Sequence, residues 1–167
     1  MTLMPATTLA EPRNIAIRIF RAQPPDLEFA RQAVVEVHNR NLTDDATLIE
    51  FLSDRSRYLL LAVQQDRVLG SLHGQALRHP HRCEPQFLLY EIDVRPEYGN
   101  QGVGKALVQS FIEEAEAAGA FEAWVLTDES NRAALAMYTS CGLRREGREQ
   151  IMLNRMFEGR DGLLPLQ

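Results

Sequence analysis

The chain has 167 residues, the size of one ordinary domain, and its 45% apolar and 25% charged residues are typical of a soluble globular protein. Its formal net charge is −5 with no dense cluster of lysine or arginine, which argues against nucleic acid or an anionic membrane surface as a partner. Cys83 and Cys141 have neither metal-ligand nor redox spacing, so we expect a reducing, cytoplasmic location.

The segments at the two ends of the chain are expected to lie outside the folded domain. We expect a disordered leader at residues 1–13, one domain over 14–160 and a tail at 161–167. The first residues have neither a basic start nor a continuous apolar centre, so they do not resemble a signal peptide. No apolar run is long enough to cross a bilayer.

The first half of the chain is predicted to alternate short strands with two helices. Pro24 and Pro25 end the first strand, and Asp26 is expected to cap the helix that follows. The predicted elements are a strand at 15–20, helices at 26–37 and 43–52, a hairpin of strands at 58–63 and 68–77, and a loop at 79–85.

The second half begins with a mostly apolar strand and continues with helices and strands in a mixed order. The predicted elements are a central strand at 87–94, an amphipathic helix to about residue 118, a strand at 121–126, a helix at 131–140 and a last strand at 149–157. Gly119 and Gly142 are expected to end the two helices. The order predicts an α+β (or α/β) fold with a mixed sheet flanked by helices.

A glycine-containing segment joins the central strand to the following helix, which is the order of a phosphate-binding loop. Gly102 and Gly104 lack side chains, so a ligand could approach the backbone closely. The first amides of a helix have no partners within it and lie at the positive end of its dipole. The pattern predicts a pyrophosphate site, with a ligand-free glycine turn as the alternative. Its candidate residues are Gly99, Asn100, Gln101, Gly102, Val103, Gly104 and Lys105.

Two segments together resemble the core of the GNAT superfamily, the acetyl-CoA-dependent N-acetyltransferases. Gly99-Asn100-Gln101-Gly102-Val103-Gly104 resembles the superfamily's Arg/Gln-x-x-Gly-x-Gly/Ala loop, although Gly99 stands where a basic residue is usual. The sequence from Asn131 to Leu143 is similar to its Asn-x-x-Ala-x-x-x-Tyr-x-x-x-Gly-Phe segment. The resemblance spans about residues 58–143. It implies a mostly antiparallel sheet that splays open from Trp124 to Leu126, with acetyl-CoA as co-substrate.

Acetyl transfer to an amine requires a base that takes the proton of the amine. Glu91 aligns with an acidic residue that many GNAT enzymes carry at this strand position, so it is our candidate catalytic base and acceptor-binding residue. Strand alternation places Asp93 on the same face, opposite Tyr90 and Ile92, as a second acceptor-binding candidate. Either carboxylate could serve instead as a surface residue or as an ion-pair partner of Arg95.

The resemblance assigns the leaving thiolate a proton donor as well. Tyr138 matches the tyrosine that contacts the coenzyme sulfur in GNAT enzymes, so it is the candidate acid and cofactor contact; the alternative is ordinary packing. Asn131 is expected to bond the pantetheine arm, to cap its helix, or both. Ile92, Asp93 and Val94 are expected to offer backbone groups to that arm.

Several other reactive side chains are expected to be structural. His73, His79 and His81 lack a partner set at metal-ligand spacing, so we predict no metal. Trp124 is expected to pack in the core. Cys141 has no predicted helix N-terminus or base beside it, which favours direct transfer in a ternary complex over an acetyl-cysteine route.

Within the superfamily, the strand Leu89-Tyr90-Glu91-Ile92-Asp93-Val94 looks most like that of the aminoglycoside 3-N-acetyltransferases, which implies a small-molecule amine acceptor. Dimers are common in the superfamily, so a homodimer is expected by analogy alone. The segment from Asp128 to Asn131 also resembles the ribosomal-protein N-terminal acetyltransferases. A peptide N-terminus, another small amine, or a non-catalytic acetyl-CoA-binding module therefore remain as alternatives.

Overall fold

The computed structural model describes residues 17–42 and 44–145. In chain order its elements are β1 (Arg18–Arg21), a 3-10 turn (Pro24–Asp26), α1 (Leu27–Gln32), a π-helical turn (Ala33–Val37), α2 (Asp45–Ser53), β2 (Arg57–Gln64), β3 (Arg67–His79), β4 (Arg82–Val94), a second 3-10 turn (Pro96–Tyr98), α3 (Val103–Ala117), β5 (Glu122–Val125) and α4 (Arg132–Ser140). The expected leader, tail and last strand lie outside the described residues.

The five strands form one open sheet in the order β1-β2-β3-β4-β5. The first four strands pair antiparallel, and β5 pairs parallel with β4. This architecture confirms the predicted α+β fold with a mixed, mostly antiparallel sheet. In the described part of the chain, no helix is both long and apolar enough to cross a membrane.

Helices cover both faces of the sheet, which explains the continuous apolar run of β2. Tyr58, Leu60 and Ala62 join the cluster under α3, where Leu107 and Phe111 are buried. The alternate residues Leu59 and Leu61 join a second cluster under α1 and α2. The candidate base therefore stands on a strand of a sheet that has a buried cluster on each face, and the phosphate-binding loop joins that strand to α3.

The first predicted helix differs from the one observed. In place of one helix over 26–37, a 3-10 turn, α1 and a π-helical turn follow one another. Asp26 does not cap α1, because its carboxylate accepts instead from the backbone amide of Gln23. The wider π-helical turn ends at His38, whose amide donates to the carbonyl of Ala33. Turns of this kind are frequent at functional sites.

The predicted loop at 79–85 is wrong, because strand pairing continues almost to the turn. β3 extends to His79 and β4 begins at Arg82, and these two residues are partners across the hairpin. Pro85 lies within β4, where its carbonyl accepts from the amide of Phe121. The proline therefore still offers the one hydrogen-bonding group that it has.

A β-bulge in β4 sets which side chains face the candidate site. The register with β3 shifts between His73 and Gly74, which leaves Tyr90 as the extra residue. Phe87 and Leu89 before the bulge face α3, and Ile92 and Val94 after it pack on the same cluster. The bulge therefore turns Glu91 and Asp93 toward the α1 side of the sheet.

The strands β4 and β5 part beyond a short paired stretch. Pairing runs from Gln86 with Glu122 to Leu89 with Val125, while β4 continues to Val94. The splay expected from Trp124 onward thus begins later, since Trp124 still pairs with Leu88. Beyond Leu89, the edge of β4 that faced β5 has no strand partner among the described residues. The backbone amides and carbonyls along that edge therefore face the gap between the two strands.

Candidate active site

The two carboxylates of β4 meet a histidine from the end of the π-helical turn. The Nδ1 atom of His38 lies 2.7 Å from Asp93 Oδ2 and 3.7 Å from Glu91 Oε1. The imidazole is only 6% exposed, against 31% for the Glu91 side chain and 48% for that of Asp93. The two acids thus share one buried neighbour, as alternation along the strand predicts, but Tyr90 does not lie opposite them. Its ring contacts His73 on their side of the sheet.

The other nitrogen of His38 bonds Ser71, so that both ring nitrogens have partners. The distance from His38 Nε2 to Ser71 Oγ is 2.7 Å. Ser71, His38 and Asp93 follow the order of a hydrolase triad, but Ser71 is fully buried, so its hydroxyl cannot reach a substrate. The arrangement instead fixes the ring of His38 and, through it, the carboxylate of Asp93.

The cationic partner of Glu91 is Arg40, not Arg95. One terminal nitrogen of Arg40 lies 3.3 Å from Glu91 Oε1. Arg95 is buried and donates to the carbonyl of Val68 and to the carboxylate of Glu36. The alternative that an arginine pairs with one of the two acids holds for Glu91, but the arginine is Arg40 and not Arg95. No motif in the sequence contains Arg40.

His38, Glu91 and Asp93 also form the one group of possible metal ligands in the described part of the chain, with ligand atoms within 4.8 Å of one another. The atoms of this group already have protein partners, since Nδ1 of His38 bonds Asp93 and Arg40 pairs with Glu91. A hydrogen-bonded cluster accounts for the geometry, and the absence of a metal stays a prediction.

A pocket of about 140 Å³ opens beside Glu91 on the α1 side of the sheet. Its polar lining is His38, Arg40, His73 and Glu91. Its apolar lining comes from four side chains: Val34, Leu48, Phe51 and Leu59. Burial lowers the pKa of His73, although the negative charge of Glu91 partly offsets that effect. At neutral pH His73 is therefore uncharged, and Glu91 and Arg40 supply charges of opposite sign.

Tyr138 lies in α4, and its side chain is buried in the cluster under α3. Burial raises the pKa of its phenol, and the negative charge of Asp93 raises it further. The hydroxyl therefore keeps its proton across the neutral range. Ile92 and Val94, from the end of β4 that carries the acids, pack against the same cluster.

The glycine loop has the backbone geometry that close approach requires. Asn100 and Gly102 have positive φ angles of 58° and 84°, and a Cβ at Gly102 would meet nothing within 4 Å. The first helical bond of α3 joins the Ala106 amide to the Gly102 carbonyl. The amides of Val103, Gly104 and Lys105 thus precede the helical ladder and remain available to a ligand.

The other residues of the glycine loop have side chains that are buried or bonded to the protein, or have no side chain. The side chain of Val103 is buried in the core, and that of Gln101 bonds the Glu97 carbonyl. Gly99 is exposed, with an ordinary φ of −59°. Asn131 caps α4 by accepting from the Ala134 amide, which bears out one of its two expected roles.

The side chains that were expected to be structural lie apart from the cluster of His38, Glu91 and Asp93, except for His73, which lines the pocket beside Glu91. The rings of His79 and His81 adjoin each other at the β3–β4 hairpin. Cys141 ends α4 and packs against the core. Trp124 is half-buried, and its indole Nε1 is buried with no hydrogen-bond partner among the described residues.

His38, Arg40 and Ser71 were not predicted as site residues, because no short motif of the sequence contains them.

A family model described as the acetyltransferase (GNAT) family matches residues 17–143. The ribosomal protein bS18-alanine N-acetyltransferase of Escherichia coli strain K12 is 43% identical over 54 residues, 32% of this chain and 36% of that protein. Human N-acetyltransferase 8 is 28% identical over 97 residues, 58% of this chain and 43% of that protein. The chain therefore spans less than half the length of these curated relatives.

Solved structures share the fold. An aminoglycoside acetyltransferase from an uncultured soil metagenomic sample, in complex with trehalose, has a TM-score of 0.73 and 24% identity, covering 88% of this chain and 100% of that chain. An aminoglycoside N-acetyltransferase in complex with CoA has a TM-score of 0.68 and 18% identity over the same shares. At these identities the likeness shows the fold alone, whereas the family model matches most of the chain. The chain belongs to the acetyltransferase (GNAT) family.

Proposed function

We propose that this chain moves an acetyl group from acetyl-CoA to a primary amine, by direct transfer within a ternary complex. One observation carries the proposal: the open edge of β4 leads at its end into the glycine loop, while the same strand presents Glu91 to a separate pocket. Two ligands could thus meet at one strand from opposite sides, which direct transfer requires.

The backbone around the gap fits acetyl-CoA. The free amides at the start of α3 suit its pyrophosphate, with the candidate contacts running from Gly99 to Lys105. The open edge at Ile92, Asp93 and Val94 suits the pantetheine arm, which needs backbone hydrogen-bonding groups. Asn131, which already caps α4, is the weakest of the proposed contacts. Acetyl-CoA would supply the acetyl group as a thioester.

Glu91 is proposed as the base that takes the proton of the attacking amine. Its carboxylate lines the pocket and is partly exposed, so that it could reach an amine directly or through one water. Asp93 is held by His38 and is the proposed second acidic contact for the amine. The alternative assignment, with Asp93 as the base, is tested below by matched substitutions.

Tyr138 is proposed as the acid that protonates the departing sulfur. The raised pKa of its phenol keeps the proton in place until it is needed. Tyr138 belongs to the cluster against which Ile92 and Val94 pack, which supports a position at the same end of β4 as the proposed base. Cys141 stands at the C-terminal end of that helix, which does not favour a thiolate and supports direct transfer.

Two classes of amine are candidate acceptors. Sisomicin occupies one structure of the soil-metagenome aminoglycoside acetyltransferase, which has 23% identity to this chain. An aminoglycoside acceptor, including acetylation at the 3-N position, is therefore one candidate. The bS18-alanine relative favours the second candidate, a peptide N-terminus or another small amine.

The proposal is tested by amine-dependent release of CoA. The chain is incubated with acetyl-CoA and, in parallel, with aminoglycosides, polyamines, amino acid amides and short peptides. We expect release with at least one amine class and initial-rate lines that intersect when both substrates are varied. Parallel lines would contradict direct transfer. Tight binding of acetyl-CoA without release in any arm would indicate a non-catalytic binding module.

A further inference from the structure

We infer that the acceptor is a primary amine whose adjacent carbon carries an apolar group, rather than a polycationic aminoglycoside or polyamine. The inference rests on the proposed function, since it names the amine class that the pocket beside Glu91 would receive. The walls, the charge balance and the size of that pocket each support it.

The walls of the pocket favour an apolar group next to the reacting amine. Val34, Leu48, Phe51 and Leu59 line it from the π-helical turn, α2 and β2. The ring of Phe51 stands edge-on to His73, with centroids 4.9 Å apart. An aliphatic or aromatic substituent would bury apolar surface against these side chains, which is favourable in proportion to the area removed from water.

The charges around the pocket do not suit a polycation. Of the described residues that line it, only Glu91 carries a carboxylate, and Arg40 lies 3.3 Å from that group. His73 is neutral at physiological pH because it is buried, so it adds no charge. Glu91 and Asp93 can accommodate the single amine that reacts, but both already have protein partners, and Arg40 would repel further ammonium groups on the same molecule.

The size of the pocket sets the scale of the substituent. Its volume of about 140 Å³ is small beside the roughly 300–1,000 Å³ of pockets that hold whole drug-sized ligands. That is room for a branched aliphatic side chain such as that of leucine. A molecule of several amino-sugar rings would lie mostly outside the pocket and would leave its apolar walls uncovered.

The experiment compares kcat/KM for matched acceptors. Leucinamide and glycinamide share the amine and the amide and differ only in the apolar side chain. Spermidine and kanamycin represent the polycations, and a pentapeptide that begins with leucine distinguishes a peptide source from a free amine. We expect leucinamide to exceed glycinamide by at least about tenfold, the usual discrimination of a small apolar pocket. We expect both polycations to fall below leucinamide.

A pair of substitutions locates the preference. Phe51→Ala should lower the leucinamide-to-glycinamide ratio of kcat/KM about tenfold. Phe20→Ala is the matched control, because Phe20 packs against the same core cluster but does not line the pocket. That variant should keep the wild-type ratio. Phe51→Leu provides the same test with a smaller loss of packing if Phe51→Ala does not fold.

The possible failures are distinguishable. Equal or better kcat/KM with glycinamide, spermidine or kanamycin than with leucinamide would overturn the inference and leave the proposed acetyl transfer standing. An unchanged leucinamide-to-glycinamide ratio in the folded Phe51 variants would also overturn it. Absence of transfer to every amine would overturn the proposed function and the inference together.

Discussion

The carboxylate of Glu91 shares one oxygen between Arg40, at 3.3 Å, and His38, at 3.7 Å. These neighbours hold the side chain at the mouth of the pocket. The carboxylate of Asp93 is more exposed yet more tightly bonded, because His38 lies 2.7 Å from it. A base needs a lone pair that can be directed at the amine, which favours Glu91 over Asp93 in the proposed reaction.

The first prediction concerns these two acids. Glu91→Gln keeps the size of the side chain but cannot take a proton, so kcat should fall by roughly 10²- to 10⁴-fold. Acetyl-CoA affinity should hardly change, and the acidic limb of the rate profile should flatten. Initial rates against pH and a cofactor titration measure both effects.

Asp93→Asn is the matched control for the first prediction. It removes the same charge two residues along the same face. A larger loss of kcat in Asp93→Asn than in Glu91→Gln would mean that Asp93 is the base. A raised KM with unchanged kcat in Glu91→Gln would mean that Glu91 only attracts the acceptor.

The second prediction concerns the acid. Tyr138→Phe removes the hydroxyl that would protonate the sulfur, so kcat should fall roughly 10²-fold while acetyl-CoA affinity is kept. Tyr58→Phe is the control, since Tyr58 is equally buried but packs against Phe87 and Phe111. Similar turnover in the wild type and in Tyr138→Phe would show that Tyr138 serves only in packing.

The sequence offers as candidates the residues that stand inside short motifs, but not the residues outside them that contact these candidates. Glu91 and Tyr138 were selected because each stands in a segment that resembles a known pattern. His38 and Ser71 are 33 positions apart and meet only because a π-helical turn ends beside β3. No periodicity records such a contact, since it depends on how two distant elements pack.

At the scale of elements, the phosphate-binding loop and the end of α3 provide two glycines for comparison. Gly102 and Gly119 both have positive φ, 84° and 68°, and a Cβ at either would meet nothing within 4 Å. They stand at opposite ends of the same helix. A substitution should therefore cause similar backbone strain at both sites but should affect a bound pyrophosphate only at Gly102.

The third prediction uses this pair. Gly102→Asp places a negative side chain where the pyrophosphate should lie, so acetyl-CoA affinity should fall at least about tenfold. Gly119→Asp should keep wild-type affinity, because aspartate tolerates the left-handed region about equally at both sites. The cofactor-induced rise in melting temperature reports binding. Equal rises in both variants would place the cofactor elsewhere.

The elements themselves were predicted better than their irregularities. The apolar runs predicted the five strands of the described residues in their order, and Gly119 and Gly142 do end α3 and α4 with positive φ. The bulge at Tyr90 and the π-helical turn at Ala33–Val37 were not foreseen. Each inserts an extra residue into a regular pattern, and the apolar periodicity of the sequence does not mark the insertion.

For the whole molecule, the half-buried His73 links the pocket to folding stability. Burial lowers the pKa of His73 below its ordinary value of about 6.5, so the folded chain takes up this proton less readily than the unfolded chain. The contribution of neutral His73 to the free energy of unfolding is therefore complete above a pH of about 6.5, and it is lost as pH falls through the pKa of His73 in the folded chain.

The fourth prediction follows from the lowered pKa of His73 in the folded chain. The free energy of unfolding should decrease as pH is lowered below about 6.5, and His73→Gln should reduce this dependence. Urea unfolding of the wild type and the variant across that range measures it. The same pH dependence in both proteins would assign the effect to other groups.

The fold class and the family were accessible from the sequence because they depend on apolar pattern and on two motifs. The acceptor class was not, since the pocket is lined by residues from the π-helical turn, α2, β2, β3 and β4. Only their arrangement in space shows that its walls are apolar and that Arg40 accompanies Glu91.

The most direct test of the central claim is the stoichiometry of transfer. The chain is given acetyl-CoA labelled in the acetyl group together with its best acceptor amine, and released CoA and acetylated amine are quantified in the same sample. The account predicts equal amounts of the two products and no release without the amine. CoA release that does not depend on amine, or labelled acetate in place of an acetylated amine, would contradict it.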